Sequence, residues 1–293
     1  MRRCPAEIAP RRYMGNAFLA GQGGGGMSDK KIKEYLNSTV GTDREMPLDA
    51  LICYLDDVNN NRLTTELTKS GTFNVTVPRW AKQVRVTACG GGGGGFVPSN
   101  GGYSSGGGGG DSIINSLYDI PANISGSTIQ VVVGAGGLGA SCSQYGGSDY
   151  DQKRAATNGG NTVISAFDIN MRGGKAPTTY SAGGRPGGPG GGTGGYVTSA
   201  GGGDWHVVDA TDGISGKAGT GLSEYIGGYR RYVGGGGGSL GAGGKAIDST
   251  KDSSGKSAAG TRGGGGGGAA DAESALFFAG NGGDGYVKLE WLL

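Results

Sequence analysis

Residues 86–111 read VTACGGGGGGFVPSNGGYSSGGGGGD, in which a strand-like start is followed by six consecutive glycines, a polar turn and five further glycines. The glycine runs are either flexible spacers or the structure itself. Val84, Val86 and Ala88 alternate with other residues as in a half-buried strand, so the first run leaves directly from a regular element. We therefore interpret the stretch as one out-and-back unit of a scaffold, with its turn at an exposed end.

Glycine is abundant throughout the chain. It supplies 70 of the 293 residues, whereas its usual share in globular proteins is about 7%. Collagen is excluded because runs such as 263–268 break the strict Gly-X-Y period. Wholesale disorder is disfavoured because 13 Tyr, 6 Phe and 3 Trp accompany stretches rich in Val and Ile. The composition favours a folded structure dominated by glycine.

Glycine runs can form a regular structure of their own. Polyproline II geometry has three residues per turn and a rise of about 3.1 Å, and its backbone N–H and C=O groups point outward. Segments without Cβ atoms can approach closely enough for these groups to bond between segments. Such runs recur many times, which favours a packed lattice over a linker: 90–95, 106–110, 183–195, 201–203, 234–238, 241–244 and 263–268.

Conventional strand patterns flank these runs. They lie at residues 71–78, 82–89, 127–134, 161–167 and 284–293. Between Phe167 and Asp284 the sequence shows almost no strand or helix pattern, so this region is either disordered or built from repetitive glycine structure. The predicted fold class is mainly β and irregular: a β-strand base with a bundle of polyglycine II helices, preceded by a short α-helical N-terminal segment.

The composition divides the chain into an N-terminal attachment or helical segment, residues 1–70, and a glycine-rich β plus polyglycine II domain, residues 71–293. Apolar residues between Leu48 and Leu67 follow helical spacing. Two interpretations stay open: a helical stalk, or a single amphipathic helix folded onto its own domain, because three consecutive asparagines interrupt the stripe. Met27, followed by Ser-Asp-Lys-Lys, is an alternative natural start.

Charge and ligand-type residues disfavour several function classes. A formal net charge of +2 gives no strong attraction to nucleic acid, so no nucleic-acid partner is predicted. The four cysteines are widely spaced and His206 is the only histidine, so we expect no metal site. A lone histidine in GGGDWHVVD is more typical of a surface loop than of a catalytic base. We therefore predict a protein that is not an enzyme and that binds no cofactor.

Two glycine motifs imitate nucleotide-binding sequences. Gly134, Gly136 and Gly139 spell Gly-x-Gly-x-x-Gly after a Val-rich strand, but the following segment is too rich in glycine to form the required helix. The segment SSGKSAAG, residues 253–260, is similar to a phosphate-binding loop, but Thr250 stands where the first glycine is required. We interpret both motifs as products of composition.

Five blocks of sequence carry a resemblance to a known family. In order they are TFNVTVP, VRVTACGGGGGG, IQVVVGAGG, GGNTVISAF and GGDGYVKLEW. Together they resemble the glycine-rich, polyglycine II domain of tail-fibre and adhesin proteins of tailed bacteriophages, over roughly residues 71–293. The resemblance implies a β base, a polyglycine II bundle, and variable loops at the far end that contact host receptors: residues 96–105, 142–158, 175–182, 196–233 and 245–262.

The resemblance implies a phage tail-fibre or tail-tip receptor-binding protein, an adhesin that contacts the host cell surface through these loops. The alternative is a structural virion component, such as a baseplate or decoration protein, without receptor contact. The implied partners are a host receptor, protein or glycan, and other tail-fibre or baseplate proteins bound through residues 1–70; a homotrimer is expected. Ice binding, a third class, is disfavoured because charged loop residues such as Lys251 and Asp252 interrupt a flat apolar face.

The expected location is the virion, in the tail, fibre or baseplate. No stretch approaches the roughly 20 apolar residues of a membrane-spanning helix. The start of the chain also lacks an apolar core of signal-peptide length. Synthesis in the host cytoplasm without a signal peptide is therefore expected.

Aromatic residues between the glycine runs are the predicted contact residues. Tyr, Ser, Gly and Asn suit recognition loops, since Tyr offers a large contact area at a low entropic cost. The alternative, given equal weight, is that some of these rings pack against glycine helices. The predicted receptor-binding residues are Phe96, Tyr103, Tyr145, Tyr150, Tyr180, Tyr196, Trp205, Tyr225, Tyr229 and Tyr232.

Overall fold

The computed structural model describes residues 48–59, 63–97, 103–145, 149–201, 204–226, 229–248, 257–270 and 276–293. These ranges contain one α-helix, α1 (Leu48–Asn59), and two short 3₁₀ helices, Ala122–Ile124 and Ser165–Phe167. The strands are β1 (Thr64–Leu67), β2 (Gly71–Thr76), β3 (Gln83–Cys89), β4 (Tyr103–Ser104), β5 (Ser112–Asp119), β6 (Thr128–Val133), β7 (Ser141–Tyr145), β8 (Asp149–Arg154), β9 (Thr162–Ile164), β10 (Ile169–Met171), β11 (Tyr196–Gly201), β12 (Asp204–Val208), β13 (Leu222–Ile226), β14 (Tyr229–Val233), β15 (Ile247–Asp248), β16 (Ala269–Ala270), β17 (Leu276–Phe278) and β18 (Tyr286–Leu292). Within the described ranges no helix is long and apolar enough to cross a membrane. The hypothesis of a start at Met27 lies outside them.

Eight strands form the base, which consists of two four-stranded sheets. One sheet has the order β1-β18-β3-β5 and the other has the order β10-β9-β6-β2. All neighbouring strands are antiparallel. Because side chains alternate between the two faces of a strand, each sheet turns one apolar face toward a shared core. The largest fully buried residues of that core are Trp80, Ile164, Leu289, Val77, Val84, Val86, Val131 and Val133.

The base confirms the prediction of a mainly β fold. Strands β2, β3, β6 and β18 occupy the predicted segments 71–78, 82–89, 127–134 and 284–293. The fifth predicted segment, 161–167, forms the short strand β9 and then a 3₁₀ helix.

The N-terminal helix packs on this base. The ring of Tyr54 meets the ring of Trp80 edge-on, with centroids 5.0 Å apart. The Trp80 indole N–H donates a hydrogen bond of 2.8 Å to Asp57 Oδ2. The apolar spacing predicted that helical structure continues to Leu67. This prediction is wrong, because Thr64–Leu67 is strand β1 and pairs with β18. The alternation in TTEL lets half-buried Leu67 pack on the core from the edge of the sheet.

The glycine runs form rods, which we define as extended segments whose hydrogen bonds go to other segments with a three-residue repeat. In the rod 90–95, the N–H groups of Gly91 and Gly94 donate to segment 155–161. Those of Gly92 and Gly95 donate to segment 279–285, and those of Gly90 and Gly93 to segment 105–111. A return to the same neighbour after every third residue is the repeat expected of polyglycine II geometry.

Hydrogen bonds sort the rods into a centre and a surrounding ring. Each of the four central rods bonds to six other rods, which is the arrangement of a hexagonal lattice. The central rods are residues 90–95, 105–110, 234–239 and 263–268. The rods of the ring, which bond to one another as well as to the centre, are residues 134–140, 155–161, 172–177, 183–188, 190–195, 209–213, 216–221, 241–246, 257–262 and 279–285.

Glycine is required in the centre because the rods approach one another closely. A Cβ atom built on Gly92 would lie 2.0 Å from the carbonyl oxygen of Gly264, and one built on Gly265 would lie 2.0 Å from that of Gly107. In the ring, one position in three faces solvent and accepts a side chain, as at exposed Ala135 and Leu138. Uninterrupted glycine runs therefore lie in the centre, and runs with a side chain at every third position lie at the surface.

Side-chain oxygens bind backbone N–H groups at the surface of the bundle. Asn158 Oδ1 accepts from the N–H of Ala176 at 2.9 Å, and Asn161 Oδ1 accepts from that of Gly173 at 3.0 Å. Elsewhere in the ring, Asn281 Oδ1 and Asp284 Oδ1 accept from Gly139 and Gly136, both at 2.8 Å. At the surface some backbone N–H groups have no neighbouring rod to bond to. Asn and Asp side-chain oxygens accept hydrogen bonds from these groups, which would otherwise bond to water.

Successive rods run in opposite directions. The N–H groups of Gly90, Gly93 and Phe96 donate to the carbonyls of Asp111, Gly108 and Ser105, each at 2.9 Å. The interpretation of residues 86–111 as an out-and-back unit is therefore confirmed, although the turn at 98–102 lies outside the described residues. The alternation of outgoing and returning rods places every second connection at the end of the bundle away from the base.

The region between Phe167 and Asp284 is not structureless. It contains strands β10 to β17 in addition to rods. The predicted loop 196–233 is wrong as a single loop, because rods 209–213 and 216–221 divide it into the hairpins β11–β12 and β13–β14. Gly216 and Gly219 are three residues apart on rod 216–221, and this spacing is the sequence signal for a rod within the predicted loop.

Three other predicted loops also extend too far. Rods include the end of the predicted loop 142–158, the start of 175–182 and the end of 245–262. In each of these stretches polar residues occupy outward positions of a surface rod and so resemble loop sequence. The predicted glycine piece 201–203 is not a rod at its first residue, since Gly201 is the last residue of β11 and pairs with Asp204.

Candidate functional site

The end of the bundle opposite the base is the distal end. Its connections are residues 96–105, 141–154, 178–182, 196–208, 222–233, 247–256 and 269–278. Strands from different connections pair with one another there. Strand β4 pairs in parallel with β14, β7 pairs antiparallel with β17, and β15 pairs in parallel with β16. The distal end is therefore a set of joined short strands, which includes the connection 269–278 that the sequence did not identify as a loop.

Three of the predicted contact residues form an aromatic cluster at this end. The ring of Tyr103 lies 4.7 Å from that of Trp205, centroid to centroid, at 32° between planes. It lies 5.5 Å from the ring of Tyr180 at 36°. Tyr180 meets Trp205 edge-on at 6.2 Å. All three side chains are half-buried, so each keeps part of its surface exposed to solvent.

Backbone contacts position the aromatic cluster. Tyr103 lies in β4 opposite Tyr232 of β14, and Trp205 lies in β12 opposite Ser199 of β11. The Tyr180 carbonyl accepts a hydrogen bond of 3.0 Å from the N–H of Val197. Because the three rings come from three separate connections, the packing of the rods decides their meeting.

Two residues that hold this arrangement were not identified by sequence reasoning. Ser105 Oγ donates a hydrogen bond of 2.8 Å to the carbonyl of Thr179. This bond ties the start of rod 105–110 to the turn that carries Tyr180. The sequence signal is only that Thr179 directly precedes Tyr180 and that Ser105 is two residues after Tyr103.

The other predicted contact residues also belong to the distal end. Phe96 is half-buried at the end of rod 90–95 and bonds through its backbone to Ser105. Tyr196 lies opposite Val208, and it is on the face of its hairpin opposite to Trp205 because side chains alternate along a strand. The remaining residues belong to the hairpins β7–β8 and β13–β14 at the distal end: Tyr145, Tyr150, Tyr225, Tyr229 and Tyr232.

Residues with shifted pKa values lie away from the aromatic cluster. Burial raises the pKa of the Cys89 thiol, at the end of base strand β3, to about 12. Burial and a hydrogen bond to Glu66 raise the pKa of the Tyr286 hydroxyl to about 12. Among the described residues no group of His, Cys, Asp and Glu is arranged to hold a metal ion. The aromatic cluster offers ring surface and neighbouring hydroxyl groups, which suit contact and recognition.

Comparison with known proteins identifies the bundle and its base together. No curated protein matches the chain. A family model described as a glycine-rich domain matches residues 67–292, from the end of β1 to the end of β18. The match covers well over half of the sequence and includes the strands and rods described above, so the chain belongs to the glycine-rich domain family.

Proposed function

We propose that the protein is a receptor-binding tip of a phage tail fibre, located in the virion, whose distal end contacts the host cell surface. The observation that carries this proposal is that three aromatic residues from separate connections meet at one end of a hydrogen-bonded bundle. A six-residue rod spans about 19 Å at a rise of about 3.1 Å per residue. The bundle therefore holds these residues at a fixed distance from the base.

The chemistry of the aromatic cluster supports a contact role. Half-buried Tyr and Trp rings combine a fixed orientation with exposed area, and such residues dominate the binding energy of many interfaces. The turn beside them carries exposed Thr178, Thr179 and Ser181, which can donate and accept hydrogen bonds. A protein or glycan receptor could therefore pack on the rings and form hydrogen bonds with the adjacent hydroxyl groups.

Attachment to the particle is proposed at the base, through residues 1–70. The described part of this segment includes helix α1, on which Leu55 and Val58 are 37% and 41% exposed. Apolar side chains exposed on a packed helix suit contact with a fibre or baseplate protein. A homotrimer assembled through this end remains part of the proposal, as do the absence of enzymatic activity and the absence of a nucleic-acid partner.

A cell-binding experiment tests the proposal. Fluorescently labelled full-length protein is incubated with a panel of bacterial strains, and bound protein is measured by flow cytometry. The double variant Tyr180→Ala/Trp205→Ala is expected to lose binding to any strain that binds the wild type. The matched control Leu138→Ala/Ile214→Ala removes two exposed apolar side chains that lie outside the distal connections and are 45% and 52% exposed. It is expected to bind as the wild type does.

The same experiment distinguishes the competing role as a structural virion component. That role has some support in the exposed apolar residues at the base side of the molecule, such as Leu117, which is 53% exposed. If no strain binds the wild-type protein while particles without it fail to assemble, the structural role is correct. Binding that the aromatic variant leaves unchanged contradicts a receptor site at the aromatic cluster.

A further inference from the structure

We propose that one side of the bundle binds an anionic polysaccharide. This side, which we call the donor face, is made of the neighbouring rods 155–161, 172–177 and 183–188. The first two rods are joined by a hydrogen bond of 2.9 Å from the N–H of Gly159 to the carbonyl of Gly174. The second and third are joined by one of 2.8 Å from Lys175 to Arg185. The donor face lies along the length of the bundle, apart from the aromatic cluster at its distal end.

Three exposed cations line the donor face. Arg172 and Lys175 are three residues apart on one rod, so they project from the same side at a spacing of about 9 Å. Arg185 lies on the next rod, beside Lys175. In the described part of the chain none of these three side chains forms an ion pair.

No carboxylate lies within the three rods of the donor face, whose residues include neither Asp nor Glu. The neighbouring carboxylate at the base end is that of half-buried Asp111. Its Oδ1 accepts hydrogen bonds from the N–H groups of Ser112 at 2.9 Å and Gly190 at 3.3 Å. The donor face therefore carries three cations against one carboxylate that borders it at the base end.

Two asparagines add uncharged donors beside the cations. The Oδ1 atoms of Asn158 and Asn161 accept hydrogen bonds from backbone N–H groups of rod 172–177. Only the oxygen of an amide can accept, so these bonds set the orientation of both side chains. The Nδ2 amino groups of the two exposed side chains are left to donate to solvent or to a ligand. The donor face therefore presents cations and amide donors together.

Other parts of the surface differ in charge although they use the same backbone chemistry. Between rods 134–140 and 279–285, the corresponding side-chain acceptors are Asn281 and Asp284, so a carboxylate is present. Between rods 209–213 and 216–221, Lys217 forms an ion pair with Asp212 at 2.7 Å. These two parts of the surface therefore lack the excess of donors seen on the donor face, so that excess does not follow from the rod structure itself.

The spacing of the cations favours a sparsely charged ligand. A nucleic-acid strand carries one phosphate per about 3.4 Å of helix axis, which is much denser than cations about 9 Å apart. A polysaccharide with one phosphate or carboxylate per sugar unit or pair of units matches more closely, and its hydroxyl groups can accept hydrogen bonds from the asparagine amides. Phosphate-bearing and uronate-bearing polymers share this chemistry, so the experiment includes both.

Binding of full-length protein to four immobilised polymers tests the proposal. The probes are glycerol-phosphate teichoic acid, polygalacturonate, neutral dextran and a single-stranded oligonucleotide. At about 50 mM salt the variant Arg172→Gln/Lys175→Gln/Arg185→Gln is expected to bind the preferred acidic polysaccharide at least about tenfold more weakly than the wild type. Its slope of log affinity against log salt is expected to fall by less than about 2, since each lost contact removes about 0.7 for a nucleic-acid strand and less for a more sparsely charged polymer.

Matched variants separate the donor face from net charge. The control Lys82→Gln/Lys217→Gln/Lys245→Gln loses the same charge from exposed positions elsewhere, and is expected to bind within about twofold of the wild type. The variant Asn158→Asp/Asn161→Asp keeps both acceptor oxygens, so its unfolding temperature should stay close to that of the wild type while its binding weakens. Asn281→Asp adds negative charge on another part of the ring and should leave binding unchanged.

Several results would overturn this inference. One is an equal loss of polysaccharide affinity in both triple variants. The others are binding of neutral dextran as tight as that of the acidic polysaccharides, and binding of the oligonucleotide that is tighter than that of either acidic polysaccharide. The acidic polymer that binds more tightly shows whether the ligand carries phosphate or carboxylate groups. Because the variants of the aromatic cluster leave the donor face intact, failure of the receptor-binding proposal and failure of this one are distinguishable.

Discussion

The base buries side chains, whereas the bundle buries peptide backbone. In the base, large side chains such as Trp80 and Leu289 fill the space between two sheets and leave water almost completely. The four central rods consist of glycine apart from Ser105 and Ser239 at rod ends, so the buried surface there is mostly the peptide backbone itself. Apolar area stabilises the base at roughly 25 cal/mol per Å². The bundle depends on hydrogen bonds worth about 0.5–1.5 kcal/mol each, against a cost of about 0.5–1 kcal/mol per glycine.

This difference determines which changes each region tolerates. A core of side chains can lose a methyl group and partly close around the cavity. A lattice of backbones has no flexible atoms that can move away from an added group. We therefore expect the base to be sensitive mainly to lost volume, and the bundle mainly to added volume and to lost hydrogen-bond acceptors.

The largest effect is expected from a side chain in a central rod. Gly92→Val places a Cβ atom 2.0 Å from the carbonyl oxygen of Gly264, and Gly265→Val does the same against Gly107. Either variant should lose on the order of 4 kcal/mol or more of unfolding free energy, because one backbone must move out of the lattice. Thermal unfolding followed by circular dichroism measures the loss.

A control for this prediction uses the solvent-facing positions of the ring. Ala135→Val and Ala242→Val enlarge exposed side chains on surface rods and should change the unfolding temperature little. If Gly92→Val and Gly265→Val melt at the same temperature as these controls, the runs are not packed rods.

The next largest effect is expected from lost volume in the base. Leu289 is fully buried between the sheets, so Leu289→Ala should cost about 2–5 kcal/mol through lost transfer energy and the remaining cavity. Leu117→Ala removes the same atoms from a side chain that is 53% exposed and should cost far less. Urea unfolding of the two variants compares these costs, and equal midpoints would contradict the assignment of the core.

A smaller effect is expected from a lost acceptor on the surface of the bundle. Asn281→Ala removes the oxygen that accepts from the N–H of Gly139 at 2.8 Å. Because solvent can reach this site, the cost should be only about 0.5–1.5 kcal/mol. Asn281→Asp keeps an acceptor oxygen and should recover most of that loss. Hydrogen exchange of the Gly139 amide gives a local measurement, in which unchanged protection in the alanine variant would show that this bond contributes nothing.

The last effect develops only at high pH and concerns the joint between the two regions. The Tyr286 hydroxyl donates a hydrogen bond of 2.8 Å to Glu66, and the guanidinium of Arg262 lies 4.7 Å from the centre of the Tyr286 ring. Burial, with the Glu66 carboxylate as a second cause, raises the pKa of Tyr286 from 10.0 to about 12. The unfolded chain therefore releases this proton first, and stability that is fully present below pH 10 falls between pH 10 and about 12.

Tyr286→Phe removes this contribution. Its unfolding free energy should fall less steeply than that of the wild type between pH 10 and about 12. Denaturant unfolding at a series of pH values measures both slopes. Cys89→Ala serves as a comparison, because burial raises the pKa of that thiol from 9.0 to about 12 and its contribution begins to fall at lower pH. Identical slopes for Tyr286→Phe and the wild type would contradict the role of the hydroxyl.

Much of the fold is predictable because glycine pattern and position correspond. The four longest uninterrupted runs, at 90–95, 106–110, 234–238 and 263–268, lie within the four central rods. Alternation in segments such as TFNVTV and YVKLEWL identifies the base strands. The prediction that the helical pattern continues beyond Asn59 was wrong. Leu63 and Leu67 fit a helical period and a strand at the sheet edge equally well, and only the pairing with β18 decides between the two.

The candidate site was predictable as a set of residues but not as an arrangement. Tyr103, Tyr180 and Trp205 were identified by their place between glycine runs, as were Tyr196 and Phe96, which lie elsewhere. No local pattern distinguishes the three that meet, since they come from separate connections. Their contact depends on β4 pairing with β14 and on Val197 bonding to the Tyr180 carbonyl.

The sequence by itself determined which segments can enter the centre of the bundle, because only a run without Cβ atoms fits at those distances. It also determined which positions face solvent, since a side chain at every third residue projects from one side of a three-residue turn. The tertiary structure alone decided which rods are neighbours and which aromatic rings meet. One glycine segment offers the same donors and acceptors as any other, so the choice among partners rests with the base strands and distal hairpins that fix where each rod begins and ends.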